Sequence, residues 1–265
     1  MKNTGTCILS SLNAFIRPAF FSFTENICSL LKLLNIARCG INGLTNREKM
    51  VNSIVKVLEY YDEFDKADET KKELPKAKLV TDQAIMECEN DFPLLHAQAL
   101  ILLWGALERL VLDILFYIIV NNNVYNEPGL VKMEIKVLVC EYENMDKEDR
   151  GRYLVRAIEN DSRRGSKFKL GVDRFESILE VIGLAGSVSP EIKKVIYELQ
   201  QFRNSIVHAG CLVDEKFIRL LPESGYKIGQ KIMISSAQFM LYYEAVFEYS
   251  KIICDRALNK YPASD

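Results

Sequence analysis

The longest apolar stretch of the chain opens at Pro93 and runs to about Val120, which predicts a single buried helix. Upstream, Met50, Ile54, Val57, Leu58 and Tyr61 recur at helical spacing, so Arg47–Tyr61 reads as a helix with one apolar face. Glu59–Glu73 is acid-rich and reads as a solvated helix or linker ending near Pro75, with a helix around Leu79–Glu89 after it. Within 1–46, Phe15, Phe20, Phe21 and Phe23 lead into an Ile27–Leu34 run that suits a docked helix, and Gly40 and Gly43 are expected to break it. Beyond the turn-rich Asn121–Gly129, helices are expected near Val131–Cys140, Lys147–Ile158 and Val172–Ile182. Ser189-Pro190-Glu191 is a strong helix start: a capping hydroxyl, proline in the first turn and an early acid facing the dipole. That helix should reach His208 and stop at Gly210.

The period then changes. Tyr226, Ile228, Ile232 and Ile234 alternate with Lys227 and Lys231, which predicts a half-buried strand over 226–234. Lys216–Leu221 is its expected partner, joined through Pro222–Gly225 as a hairpin. Ser235 or Ser236 then caps a last amphipathic helix carrying Phe239, Tyr243, Val246, Phe247 and Ile253. The sum is an all-α bundle with one small β-hairpin before its final helix. In chain order it divides into a helical extension of unassigned role, 1–75, and a main domain, 76–265.

Composition narrows the class. With 265 residues, 49% apolar positions and a formal charge of −2, the chain is neither disordered nor low-complexity. It also lacks the basic excess of a generic polyanion binder, so any nucleic-acid role needs a local patch. Ala99–Val120 is long enough to span a bilayer, but Glu108, Arg109 and Asp113 would each cost roughly 2.5–3.5 kcal/mol at its centre. No signal peptide is evident, so a cytoplasmic protein away from membranes is expected. Seven scattered cysteines and two histidines form no ligand-spaced cluster, so no metal or other cofactor is expected, and the thiols should be reduced and mostly buried.

Two charges fall on unexpected faces. In the Ser189–His208 helix, Arg203 lies inside the stripe of Ile196, Leu199 and Ile206, while Gln201 and Ser205 keep to other faces. An arginine cannot shed its proton, so it needs an acid, a phosphate or water. On the long helix Gln98, Arg109 and Asp113 form a polar stripe, and Glu108 lies outside it. The economical expectation is that Glu108 and Arg203 meet inside the bundle. His208 follows Arg203 by five residues, roughly 140° around the helix, at the point where the helix ends. His96, in the first turn of an apolar helix, reads as structural.

Arg203-Asn204-Ser205-Ile206-Val207-His208 has the form R-N-x-x-x-H, and in this setting the chain resembles the HEPN superfamily. The setting comprises a long apolar helix with an inward acid, the motif late in the bundle at a helix end, and an insertion before the last helix. The resemblance covers roughly 80–260. It implies an all-α domain that pairs as a homodimer around two motifs, and metal-independent endoribonuclease activity in toxin–antitoxin, abortive-infection or other antiviral systems. It carries over Arg203 and His208 as the catalytic pair and Asn204 as the motif's polar second position. Glu108 is only loosely similar to an acid some members carry. RNA as substrate, and an antitoxin or regulatory protein as partner, follow from the same resemblance. Gly210 stands where one variant of the family carries a modifiable tyrosine, so that form of control is not expected here.

The chemistry suits the residue types. RNA supplies its own 2′-hydroxyl nucleophile, a histidine can exchange protons near neutrality, and an arginine can hold phosphate oxygens while staying charged. A backbone-tracking patch is offered by Arg150, Arg152, Arg156, Arg163, Arg164, Lys167 and Lys169, with Arg174 ending the run and Tyr153 and Phe168 interleaved. The bland alternative for that run is a solvated basic face. For the chain as a whole, the alternative is a non-catalytic HEPN-type module that dimerises and binds a nucleotide or protein.

Overall fold

A computed structural model describes residues 12–122, 128–131, 133, 135, 139–164 and 169–262. Its helices are α1 (Arg17–Leu44), α2 (Arg47–Tyr60), α3 (Phe64–Lys71), α4 (Leu74–Glu89), α5 (Pro93–Asn121) and α6 (Pro128–Val131). These are followed by α7 (Val139–Asn144), α8 (Lys147–Arg164), α9 (Val172–Val181), α10 (Pro190–His208), α11 (Glu215–Leu220), a 3-10 turn (Pro222–Ser224) and α12 (Ser236–Lys260). The fold is all-α, and no sheet forms among the described residues.

Several expectations are corrected. The hairpin does not exist: the expected strand Lys216–Leu221 is helix α11, because Asp214 accepts from Phe217 N at 2.7 Å and caps it. The chain after it pairs instead with 211–213, through one isolated bridge, Leu212 to Lys231, and backbone bonds such as Val213 N to Gln230 O at 2.9 Å. Gly40 and Gly43 do not break α1, and an added Cβ at either would meet nothing within 4 Å. Of the two readings for Glu59–Glu73 the helix is found, as α3, and Pro75 sits in the first turn of α4, where its missing N–H costs nothing. The helix expected over Val131–Cys140 is interrupted, since Met133 and Ile135 are not helical.

The chain forms two compact units, neither contiguous: Met1–Cys28 with Leu100–Ile232 and Met240–Asp265, and Ser29–Ala99 with Met233–Phe239. In the first, α5 is the axis: Leu100, Leu103, Trp104, Leu107, Val111, Ile114 and Leu115 are fully or almost fully buried. The three central residues of α9's first turns tie that axis down. Arg174 reaches Glu108, Phe175 packs on Trp104 (ring centroids 5.2 Å) and Tyr249 (6.3 Å), and Glu176 accepts from Tyr249 (2.7 Å) and Arg256 (2.8 Å). Burial, with the Glu176 charge adding to it, pushes the Tyr249 phenol far above its ordinary range, so it stays a donor.

In the second unit, Val51 and Val55 of α2 pack in a small core with Ala67, Ala77 and Ala84. The apolar face read from the spacing is open to solvent at Met50, Ile54, Val57 and Tyr61, and the buried positions of α2 are Val51 and Val55. α1, at a hydropathy of 1.2 over its best window, is the helix among the described residues long and apolar enough to cross a membrane, with 17% of that window buried.

Asp91 and Phe92 enter α5 at φ 60° and 55°, a left-handed pair without glycine that costs about 1–3 kcal/mol per residue. Packing and hydrogen bonds hold it: Phe92 is buried under the Arg38 guanidinium (5.0 Å), and Asp91 accepts from the Ser236 hydroxyl (2.7 Å) and backbone N–H. His96 is buried beside it, its Nδ1 3.2 Å from Ile234 O and its ring stacked on Phe239. Burial raises the Asp91 carboxyl, but the Ser236 bonds and the fields of His96 and Arg38 outweigh that and bring it below its ordinary 3.8. A depressed folded pKa stabilises above the unfolded value and is lost as pH falls through the folded one. Asp91→Asn should therefore lower stability at pH 7 by about 1 kcal/mol, since an anionic helix-end acceptor is replaced. In denaturation titrations, the gap to wild type should close below pH 3.8.

Candidate functional site at the end of α10

α10 forms as its sequence dictates: Ser189 Oγ accepts from Ile192 N, Pro190 sits in the first turn and Glu191 faces the N-terminus. It ends at His208, followed by Gly210 and Cys211 at φ 61° and 66°, and Ser205 Oγ donates to Leu212 O at 2.9 Å to hold that turn back on the helix. Ile196, Leu199, Phe202 and Ile206 are buried as expected. The buried face is wider than the apolar stripe, however: Gln200, Gln201 and Ser205 are buried too. Gln200 Oε1 accepts from Gly171 N at 2.6 Å, which accounts for its burial.

Arg203 is half-buried within that stripe. Its Nη1 donates to Asn204 Oδ1 at 3.2 Å, and its Nε is buried with no partner. The expected pairing with Glu108 is not made. Glu108 Oε1 takes Arg174 Nη1 at 2.6 Å, and Glu159 stands 3.6 Å from Arg174 Nη2. The reason is geometric: Glu108 lies outside the polar stripe of α5, on the side where α9 packs, and α9 brings its own arginine. Arg109, inside that stripe, pairs with Asp113 at 2.8 Å.

The basic run separates into individual fates. Arg150 donates to the carbonyls of Tyr142 and Glu143 and lies over the Tyr142 ring, a clamp between α7 and α8. Arg152 is bound to Glu148 and Asp149 and lies over Phe116. Arg156 and Lys169 are exposed, Arg174 is consumed by Glu108, and the side chains of Arg163, Arg164 and Lys167 lie outside the described residues. Arg152 and Arg156 also line a cavity of about 450 Å³ with Arg109, Asp113, Phe116 and Glu159, in which acids balance the arginines.

A second cavity, of about 90 Å³, lies at the C-terminal end of α10. Gln201, Asn204, Ser205, His208 and Phe217 line it; Arg203 does not. Gln201 is 4% exposed, and its Nε2 has no hydrogen-bond partner. A buried donor left unmade costs about 1–3 kcal/mol, and two such groups, Gln201 Nε2 and Arg203 Nε, lie two residues apart. Gln201 escaped the sequence reading because a glutamine beside an apolar stripe reads as solvated. Its only signal was the position one turn before Ser205, on the side that α11 covers.

Among the described residues no group of three or more His, Cys, Asp or Glu could hold a metal ion. The six cysteines among the described residues are free, but the expectation of mostly buried thiols fails for them: Cys28, Cys39 and Cys140 are exposed and Cys254 alone of the six is buried, with its thiol pushed up to about 11 by that burial. Compared with family models, curated proteins and solved structures, the chain matches none. What the fold and site define is therefore an all-α protein with an unpaired arginine and a terminal histidine on one helix.

The two arginine environments should respond differently to loss of a charge. Glu108→Gln leaves Arg174 with Glu159 alone and should destabilise by about 1–3 kcal/mol, because both partners are largely buried. Arg203→Met removes a charge with no acidic partner and should change stability by less than about 1 kcal/mol in the same chemical denaturation series.

Proposed function

We propose that the protein is a metal-independent endoribonuclease of HEPN type, acting as a homodimer in the cytoplasm within a toxin-like or antiviral defence system. The observation that carries this reading is Arg203: a guanidinium in an apolar stripe, with a buried, unpartnered Nε and no carboxylate in ion-pair range among the described residues. Evolution of a stable bundle alone has no use for that group, whereas a phosphate would complete it. Asn204, in contact with Arg203, orients the fork, and His208 is exposed at the helix end.

In this reading His208 takes the proton of the ribose 2′-hydroxyl as its oxygen attacks the adjacent phosphorus. The bond to the 5′-oxygen breaks, that oxygen receives a proton, and Arg203 balances the charge that gathers on the non-bridging oxygens. The products are a 2′,3′-cyclic phosphate and a 5′-hydroxyl. Glu108 takes no direct part, since Arg174 holds it. The small cavity at the end of α10 is lined by His208 and not by Arg203, and pairing two copies around the motifs supplies the shared cleft. The same separation favours a second reading, a HEPN-type module that dimerises and binds a nucleotide or a protein without turnover. An antitoxin or other restraining protein belongs to the first reading.

Purified protein should cleave RNA in the presence of EDTA, leaving 2′,3′-cyclic phosphate ends. Arg203→Ala and His208→Ala should each lower the rate by about 10²–10⁴ while retaining the wild-type melting profile. Expression of wild type, but not of His208→Ala, should arrest cell growth. Cleavage that persists in both variants overturns the ribonuclease reading, and a folded wild type without turnover favours the second.

A further inference from the structure

We propose that the outward face of α2 is the docking surface for one amphipathic helix of a partner protein, with apolar residues along its centre and acids along its edges. Met50, Ile54 and Val57 recur at helical spacing, and Tyr61 at the C-terminal cap continues the row. The first three are about half exposed (49–55%) and Tyr61 is 69% exposed, while Val51 and Val55 anchor α2 to its own unit on an adjoining side. Large apolar side chains in one continuous row, open to solvent on an anchored helix, have the form of a helix-docking seam.

Spacing alone does not name the occupant, but the charges do. Arg47 stands at one end of the row, and Lys49 and Lys56 lie along one edge, all three exposed. None of the three has an ion pair among the described residues; Glu59 of the same helix is held by Lys71, and Glu48 is half-buried. Three uncommitted cations beside an apolar row are complemented by a helix with acidic flanks. A second copy of this chain supplies no such acids. Antiparallel pairing of two α2 faces sets the lysine edges against each other, and parallel pairing sets them against Val51 and Leu58. The acidic helix α3 has a single large apolar side chain, Phe64, and cannot fill the row. An anionic bilayer would meet the unit more broadly, and residues 29–99 carry ten Lys and Arg against twelve Asp and Glu, a net negative charge that opposes it. A single helix meets the basic face of α2 alone.

The test is fluorescence anisotropy of labelled synthetic helical peptides of equal length, titrated with the full chain. One carries a Leu seam flanked by Glu, one the same seam flanked by Lys, and one is the Glu peptide with Ser in place of Leu. The Glu-flanked peptide should bind saturably and at least about tenfold more tightly than the Lys-flanked one, since the exposed charge contacts change sign between them. The Ser peptide should not bind. Ile54→Gln should weaken binding of the Glu-flanked peptide at least about tenfold at an unchanged melting temperature, because that side chain is exposed and central to the row. Val57→Gln serves if the first variant does not fold. Lys49→Glu combined with Lys56→Glu should turn the preference toward the Lys-flanked peptide, which adhesion to a merely apolar surface would not do. No saturable binding of the Glu-flanked peptide, equal affinity for both flanks, or binding unchanged in the glutamine variants overturns the proposal. Self-association in sedimentation, or flotation with phosphatidylglycerol vesicles, that Ile54→Gln abolishes overturns it in favour of a second copy or a bilayer. The titration reads binding alone, so its outcome is independent of whether the protein cleaves RNA.

Discussion

Three consecutive residues of α9, Arg174, Phe175 and Glu176, hold the first unit together. Each reaches a different partner: Glu108 and Trp104 on α5, and Tyr249 with Arg256 on α12. Two ion pairs flank the Phe175 ring, which packs on Trp104 and Tyr249, and all are largely buried, so each charge depends on its partner for compensation. Glu176 also accepts from Gly186 N, and Arg256 donates to the carbonyls of Leu184 and Ser187. That network fixes the segment leading into Ser189 and hence where α10 begins.

The state of Arg203 follows from this arrangement. By claiming Glu108, Arg174 leaves the arginine of α10 without an acid, and the widening of the buried face leaves Gln201 without an acceptor. A bundle selected for stability alone would have replaced both by leucine or methionine, which is often neutral or stabilising at such positions. Two of the buried polar atoms without a partner, Gln201 Nε2 and Arg203 Nε, lie near one helix end beside an exposed histidine, and others lie at Asn122, Arg174 and Ser224. The left-handed pair Asp91-Phe92 shows the contrast, because there the surrounding bonds repay the strain and nothing is left open.

The helices were legible where local physics is strong. Ser189-Pro190-Glu191 announced α10, and Gly210 its end, since capping, a fixed φ and a positive φ act within a few residues. The hairpin was misread because alternation over 226–234 is real, but its partner was set by Asp214 capping α11. The Met50-Ile54-Val57 stripe is one apolar helix face that stays exposed, because such a face says what could be covered and not what covers it. The same holds for Arg150 and Arg152, which look free in a basic run and are spent on carbonyls and neighbouring acids.

By itself the sequence determined the all-α class, the length and burial of α5, the ends of α10 and the presence of an arginine on an apolar face. All of these follow from periodicity and end-capping, which involve residues close in the chain. Only the tertiary structure decided which acid meets which arginine, that Gln201 is buried without a partner, and that α11 closes a cavity beside His208. Those outcomes depend on the angle at which one helix face meets another, and pairings far apart in sequence are invisible until the helices pack.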